Sequence, residues 1–305
     1  SCGMVAMERA GIPVEAYYAS EIDEAAMRIS RKNYPGIVQL GDVTRWRLWD
    51  INWSKIDLII GGSPCQGFSS AGKQLNFDDP RSRLFFEFAS IVDHAKEHNP
   101  AVYFLLENVK MANRWKDIIS QYLGVCPVDI NSALLSAQNR NRSYWTNITG
   151  VCTPSDRHIF IADILEDVEQ AESIGKFKKC VRDNVIEQYQ EIISSRRAIH
   201  KLRCNSGWQD NQVGILKSPT LRHGNSFCLV KTKDDKIRQI TITEAERLQT
   251  LPDGYTEVDG VSVSRRFAAI GNGWTVDVIA HLLRGLEGTA AQSVPVGVGV
   301  HGVLT

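Results

Sequence analysis

Asp57-Leu58-Ile59-Ile60-Gly61-Gly62 runs directly into Ser63-Pro64-Cys65-Gln66-Gly67-Phe68, and the reading of this stretch decides the fold. An apolar run without polar alternation suits a strand whose two faces are both covered, as in a parallel sheet packed between helices. The glycines and Pro64 end it in a tight turn. A second run of the same kind, Val102-Tyr103-Phe104-Leu105-Leu106-Glu107, ends on a carboxylate. Working outward, Ala16–Ser20, Ile56–Gly61 and Val102–Glu107 read as strands. Met4–Ala10, Asp23–Asn33, Arg83–Lys96 and Ala112–Tyr122 carry helical periodicity and supply the crossovers. The expected fold class is α/β, a doubly wound, mostly parallel sheet with a smaller second domain.

The second half reads differently. From about Gly150 the rhythm is lost, and Pro154–Lys236 is polar and mixed in charge, with a helix expected over Asn184–Leu202. Regularity returns with a helix over Thr243–Leu251, opened by Thr243 and Glu246 as a capping box. An apolar helix over Val276–Leu286 is expected to pack back on the first domain. The expected division is 1–150 for a catalytic and cofactor-binding domain, 151–264 for a target-recognition domain, 265–288 for the returning helix, and 289–305 for a loose tail or an edge strand over Val296–Leu304.

Length and composition narrow the class. The chain has 305 residues, enough for one large domain and a smaller one. Basic and acidic residues balance at 35 each, so any nucleic-acid contact must come from local patches. Such patches exist: Lys176, Lys178, Lys179 and Arg182, then Arg196, Arg197, Lys201 and Arg203. The seven cysteines are scattered without a Cys-x-x-Cys pair, so reduced thiols are expected, with neither disulfides nor a metal. No apolar run is long enough to span a membrane, and the N-terminus lacks a signal-peptide pattern. A cytoplasmic location is expected, or a nuclear one in a eukaryotic host.

In open α/β sheets ligands sit at the carboxyl ends of strands, which is where Cys65 and Glu107 fall. A free cysteine is more often a small buried apolar residue, but a thiol on a glycine-rich turn beside a carboxylic acid fits nucleophilic addition to a ring whose nitrogen must be protonated. The third element is Gln138-Asn139-Arg140-Asn141-Arg142. Two arginines at alternate positions of an extended segment point the same way, and a guanidinium suits a ring carbonyl while favouring thiolate.

Pro64-Cys65-Gln66, Glu107-Asn108-Val109 and Gln138-x-Arg140-x-Arg142, in this order, resemble the catalytic motifs of the C5-cytosine DNA methyltransferases. Asp79-Pro80-Arg81-Ser82-Arg83-Leu84 resembles the family's helix-opening motif beside the cofactor. Thr243-x-x-Glu246-Arg247-Leu248-Gln249-x-Leu251-Pro252 is similar to the motif that organises target recognition, and Gly271-Asn272-Gly273-Trp274 to the last motif. The resemblance covers roughly residues 1–150 and 238–286. It includes compact bacterial and phage enzymes and the animal de novo methyltransferases.

The resemblance implies a Rossmann-like class I methyltransferase that uses S-adenosylmethionine, leaves S-adenosylhomocysteine, and acts on double-stranded DNA, with restriction–modification as one setting. By position it makes Cys65 the nucleophile, after Pro64, Glu107 the residue that bonds and protonates the ring nitrogen, and Arg142 with Arg140 the holder of the ring carbonyl. Asn108 would anchor the cysteine loop. Gly67–Asn76, including Ser70 and Lys73, would close on the DNA, with Gln66 and Ser70 filling the space of a flipped base. Cofactor contacts are implied for Ser1, Cys2, Gly3, Glu21, Ile22, Asp42, Val43, Leu84, Asn272, Gly273 and Trp274. Thr220, Arg222, His223 and Asn225 resemble the edge of the recognition loop, chemically suited to base edges or phosphates.

One feature departs from the family. Its glycine-rich cofactor motif starts with a strand, whereas this chain opens at Ser1-Cys2-Gly3, the far end of that motif. Either the strand lies outside the sequence, or the β-prone tail Val296–Thr305 fills its place. Two other functions compete. One branch of the family methylates transfer RNA with the same Cys, Glu and Arg set, but the Cys-Phe-Thr tripeptide associated with it is absent here. An inactive accessory subunit is the other, opposed by the intact Cys65, Glu107 and Arg142. Oligomeric state and recognised sequence are not encoded in any motif.

Overall fold

The computed structural model describes residues 1–62, 83–167, 199–203, 212–214, 216–221, 226–231, 237–286 and 296–301. The chain forms two compact units. The first comprises Ser1–Ile130, Asn141–Pro154 and Val276–Thr305, the second Asn131–Arg140 and Ser155–Thr275. The sequence-based division at 150 thus differs on two counts: the ten residues before Asn141 go with the second unit, and the chain returns to the first only at Val276.

In chain order the first unit holds α1 (Cys2–Arg9), β1 (Tyr17–Ser20), α2 (Glu24–Asn33), β2 (Val38–Gln39), β3 (Ile56–Gly62), α3 (Arg83–His98), β4 (Tyr103–Val109), α4 (Asn113–Leu123), β5 (Val128–Asn131) and β6 (Asn141–Thr146). Leu58, Ile59, Ile60, Leu105 and Leu106 are all at most 1% exposed, so the two unbroken apolar runs are central strands covered on both faces. The helix α3 presents Leu84, Phe85, Phe88, Ile91, Val92 and Ala95 at helical spacing to a core that also takes Trp46, Trp115, Ile119 and Trp145. Each such side chain contributes roughly 1.5–3 kcal/mol on burial.

Polar side chains fix where the strands begin. Asn99 Nδ2 donates to the Ile56 carbonyl at 3.0 Å, which pins the exit of α3 to the start of β3. Asn147 donates to the Val102 carbonyl and accepts from Phe104 N. Gly124, with φ of 71°, ends α4 in the left-handed region that favours glycine.

The second unit contains α5 (Ile161–Ile164), the antiparallel strands β7 (Ile199–Arg203), β8 (Gln212–Gly214), β9 (Ser226–Lys231) and β10 (Ile237–Gln239), then α6 (Ile242–Leu248) and α7 (Val263–Asn272). Its strand order is β10-β9-β7-β8. The helix expected over Asn184–Leu202 is corrected at its end: Ile199–Arg203 is a strand held on both edges, and 184–198 lie outside the described residues. Ladder pairing outweighs local helical preference there. The cap of α6 is also displaced. Thr241 and Glu244 form the capping box, because Glu246, fully buried, instead accepts from Gly254 N and Thr256 N at 2.7 Å each. Glu244 is buried too and pairs with Arg238, whose Nη1 donates to Glu244 Oε2 at 2.7 Å.

The chain then returns as α8 (Val276–Leu283), which lies beside α1 and is tied to it by Arg9 and Asp277 at 2.6 Å. The last described strand is β11 (Val296–His301). It is not at an edge. The order in the seven-stranded sheet is β2-β1-β11-β3-β4-β6-β5, with Tyr17–Ser20 parallel to Gly297–Val300 on one side and Leu58–Gly62 parallel to Gly297–His301 on the other. The tail thus fills an interior slot because β1 and β3 both offer it an unpaired backbone edge. Parallel ladders run from β2 through β1, β11 and β3 to β4, and β6 pairs antiparallel with β4. Among the described residues no helix is long and apolar enough to cross a membrane.

Candidate active site

The described candidate catalytic residues lie at the carboxyl ends of the central strands. β3 and β4 end level with each other, Gly62 opposite Glu107. On its other side β4 meets β6 so that Glu107 stands opposite Tyr144 and Val109 opposite Arg142. Antiparallel pairing therefore delivers Arg142 to the end of β4 from a segment some 35 residues away, and its Nε lies 2.6 Å from Glu107 Oε1. Both side chains are largely shielded from water, at 13% and 11% exposure. A pair so screened is stronger than a surface one. Asn108 is buried, and its Oδ1 accepts from Val109 N.

Pro64, Cys65, Gln66, Ser70 and Lys73 lie outside the described residues. Cys65 is only three residues past Gly62, so its Cα is at most ~11 Å from that of Gly62 at full extension.

Behind Arg142, a network missed by sequence reading steadies β6. Ser143 Oγ donates to Asp129 Oδ1 at 2.6 Å, and Lys116 Nζ donates to the same oxygen at 2.8 Å. Burial pushes the Asp129 carboxyl up, but the bonds from Lys116 and Ser143, with the charges of Lys116 and Lys110, outweigh it and hold the group below the usual carboxylate range. No motif marks these residues, since they meet only when the strands pair.

Arg140 has a different place from the one its spacing suggests. The extended strand starts at Asn141, so the alternation does not reach back to Arg140. Its guanidinium is buried in the second unit, donating to the carbonyls of Leu221 (2.9 Å), Gly271 (3.3 Å) and Gly273 (2.9 Å). Gln138 is buried beside it, donating to the Leu248 carbonyl and accepting from Leu221 N. Gln249 joins through the Gly273 carbonyl. These three side chains organise the backbone that leads into Arg222, His223 and Asn225, which lie outside the described residues, and Thr220 Oγ1 donates to Asn139 O.

Of the candidate cofactor residues, Glu21, Ile22, Asp42 and Val43 follow the ends of β1 and β2. Leu40 N donates to Ala19 O at 2.7 Å and Ser20 Oγ to Gly41 O at 2.6 Å, which draws Glu21–Ile22 and Asp42–Val43 together. Glu21 Oε1 accepts from Ile22 N and Asp23 N. Burial pushes its carboxyl above the ordinary glutamate value, against the pull of those two bonds. Ile22 is 46% exposed while Val43 is buried, leaving an apolar side chain open beside a carboxylate. Asp42 Oδ1 accepts from Thr44 N and Oγ1. Ser1 stands at the N-cap position of α1 without a side-chain capping bond, Cys2 is buried, and Gly3 sits where a β-carbon would meet the Tyr17 hydroxyl at 2.5 Å. Leu84 belongs to the core rather than to an open surface. Trp274 is buried, and Asn272 and Gly273 are half-buried in the second unit.

The family model for C-5 cytosine-specific DNA methylase matches residues 3–121 and 135–287. This chain belongs to that family. As a member, it is similar to Type II methyltransferase M1.ScrFI of Lactococcus lactis subsp. cremoris, 30% identical over 294 residues spanning 87% of this chain and 70% of that protein. It is also similar to Type II methyltransferase M.HpaII of Haemophilus parainfluenzae, 28% identical over 306 residues, 90% of this chain and 83% of that one. Among solved structures, a Spodoptera frugiperda DNMT2 variant and S. pombe Dnmt2 each superpose with a TM-score of 0.60, at 18% and 19% identity, over 94% of this chain and 96% and 95% of theirs. That likeness establishes the class I methyltransferase fold of this C5 methylase.

Proposed function

We propose that the chain methylates carbon 5 of a cytosine flipped out of duplex DNA through a covalent adduct on Cys65. Family membership makes it an S-adenosylmethionine-dependent DNA cytosine-5 methyltransferase, with type II modification enzymes as relatives. The observation that supports the residue roles is the Glu107–Arg142 pair at the end of β4, with Cys65 three residues along the chain from Gly62, which ends the neighbouring strand.

The Cys65 thiolate adds to carbon 6, forming the sulfur–carbon bond while the ring's electron pair shifts toward carbon 5. Glu107 hydrogen-bonds the ring nitrogen and supplies its proton, and Arg142 binds the ring carbonyl. Charge that develops on the ring is thereby stabilised by groups already in position. S-adenosylmethionine supplies an electrophilic methyl group that carbon 5 takes up. Water then takes the proton from carbon 5, the sulfur–carbon bond breaks to regenerate the thiolate, and the ring nitrogen returns its proton to Glu107. Nothing in this sequence of steps calls on a metal ion or a membrane.

The ends of β1 and β2 suit this cofactor: Glu21 for the ribose hydroxyls, Asp42 for the adenine amino group, and Ile22 with Val43 for the ring faces. The second unit is assigned to target recognition, with Arg222, His223 and Asn225 read as base or phosphate contacts held in register by Arg140 and Gln138. Thr220 helps brace that segment, and Gln66, Ser70 and Lys73 are assigned to the DNA side of the cysteine loop.

The test is labelled methyl transfer to duplex DNA and to transfer RNA, run side by side with wild type and Cys65→Ala, followed by bisulfite sequencing. Incorporation into DNA that depends on Cys65 is expected. Equal incorporation by the two proteins would end the assignment.

A further inference from the structure

The last two turns of α3 read His94-Ala95-Lys96-Glu97-His98. Residues three and four apart share one helix face, so His94, Glu97 and His98 stand together. Among the described residues they form the one group of three His, Cys, Asp or Glu side chains whose ligand atoms all lie within 4.8 Å of one another. We propose that this face binds a divalent transition cation of the zinc class through one atom each of His94, Glu97 and His98, with water completing the coordination.

Three observations beyond proximity carry the proposal. First, His98 Nδ1 lies 2.9 Å from the His94 carbonyl. A carbonyl only accepts, so Nδ1 holds the proton and Nε2 presents its lone pair outward. A metal-bound histidine is oriented by this same kind of outer bond. Second, the His94 ring packs against two indoles, Trp46 at 5.2 Å and Trp53 at 5.0 Å, and the His98 ring lies 4.4 Å away, tilted by 53°. Third, Glu97 Oε2 is already 3.6 Å from His94 Nδ1. With metal bonds of roughly 2.0–2.2 Å, ligand atoms of a tetrahedral site are about 3.3–3.5 Å apart. Small rotations of the exposed Glu97 and His98 side chains close the remaining gap.

Two histidines and a carboxylate select zinc, nickel or copper over magnesium or calcium, which prefer oxygen alone. The site is remote from methyl transfer. Asn99, next along the chain, is bonded to the first residue of β3, so the cluster lies at the amino ends of the strands, opposite the Glu107 rim. A cation there would clamp the end of α3 and stabilise the folded unit by binding it selectively.

The experiment uses the full chain after removal of metal by a chelator, titrated with Ni2+ and followed by tryptophan fluorescence and calorimetry, with Zn2+ in a parallel melting experiment. Because Trp46 and Trp53 touch His94, Ni2+ in the site should quench fluorescence saturably with one equivalent. His98→Gln should lose that equivalent, Glu97→Gln should weaken it roughly 10-fold or more, and Zn2+ should raise the melting temperature of wild type but not of His98→Gln. Methyl transfer should be the same with and without Zn2+. The wild type failing to take up one saturable equivalent, or both variants quenching as wild type does, would overturn the site. Glu97 is exposed, so its variant keeps the test valid even if His98→Gln folds poorly.

Discussion

Arg142 Nε stands 2.6 Å from Glu107 Oε1 although the two residues come from antiparallel strands, so the ladder between β4 and β6 is what sets the spacing of the acid and the guanidinium. Removing Arg142 strips Glu107 of its cation in a shielded setting. Arg142→Ala should lower the single-turnover methyl-transfer rate roughly 10²- to 10³-fold, the size of losing one preorganised charge-stabilising donor. Cofactor affinity should hold, since Glu21 and Asp42 sit at the ends of other strands. A variant with normal turnover would remove Arg142 from the chemistry.

Arg140 should behave in the opposite way. Its guanidinium serves three backbone carbonyls in the second unit, and each hydrogen bond from a charged donor contributes roughly 1.5–3 kcal/mol. Arg140→Ala should therefore cost on the order of 3 kcal/mol in urea denaturation, with DNA affinity falling before cofactor affinity does. If the variant unfolds like wild type while turnover collapses, Arg140 belongs with Glu107 after all.

The contrast between these two arginines shows what the sequence could and could not convey. Continuous apolar runs announce the central strands, because a strand covered on both faces has no polar side to alternate with. The place of Glu107 at the end of β4 was legible for the same reason, as it follows such a run directly. The period-two reading placed Arg140 beside Arg142, yet the strand begins at Asn141, and nothing local marks that boundary. The cap at Thr241 rather than Thr243 was hidden because both pairs satisfy the same pattern, and only the tertiary demand of Gly254 and Thr256 on Glu246 separates them. The Asp129 network was invisible, since Lys116 and Ser143 become neighbours only in the fold. The spacing of His94, Glu97 and His98 on one helix face is local and therefore legible in the sequence.

Glu21 links pH to stability. Burial raises its carboxyl in the folded chain, so over the interval from the ordinary glutamate value, about 4.3, up to the folded value the folded state binds more protons than the unfolded one. The stabilisation is therefore present below that interval and lost as pH rises through it. Glu21→Gln should remove this loss, leaving the variant at neutral pH at least as stable as wild type by thermal melting. Its S-adenosylmethionine affinity should nevertheless drop roughly 10- to 100-fold, because hydrogen bonds to a charged acceptor exceed those to an amide by that order. Unchanged cofactor affinity would take Glu21 out of the binding site.

The position of β11 makes the sharpest structural prediction. A strand at the rim of a sheet shares one ladder, and its removal exposes one edge. Val296–His301 shares two, with β1 and with β3, and lies between the strand that leads to Glu21 and the strand that leads to Cys65. Deleting residues 290–305 leaves both neighbours with unpaired backbone groups inside the sheet, each costing about 1–3 kcal/mol when buried, and opens the gap between the cofactor end and the thiol end of the rim. The truncated chain should lose its cooperative thermal transition or melt far below wild type, and S-adenosylmethionine binding should fall with it. A truncated chain that folds and binds cofactor as before would mean that the sheet closes without this strand, with β1 and β3 meeting directly or through another segment.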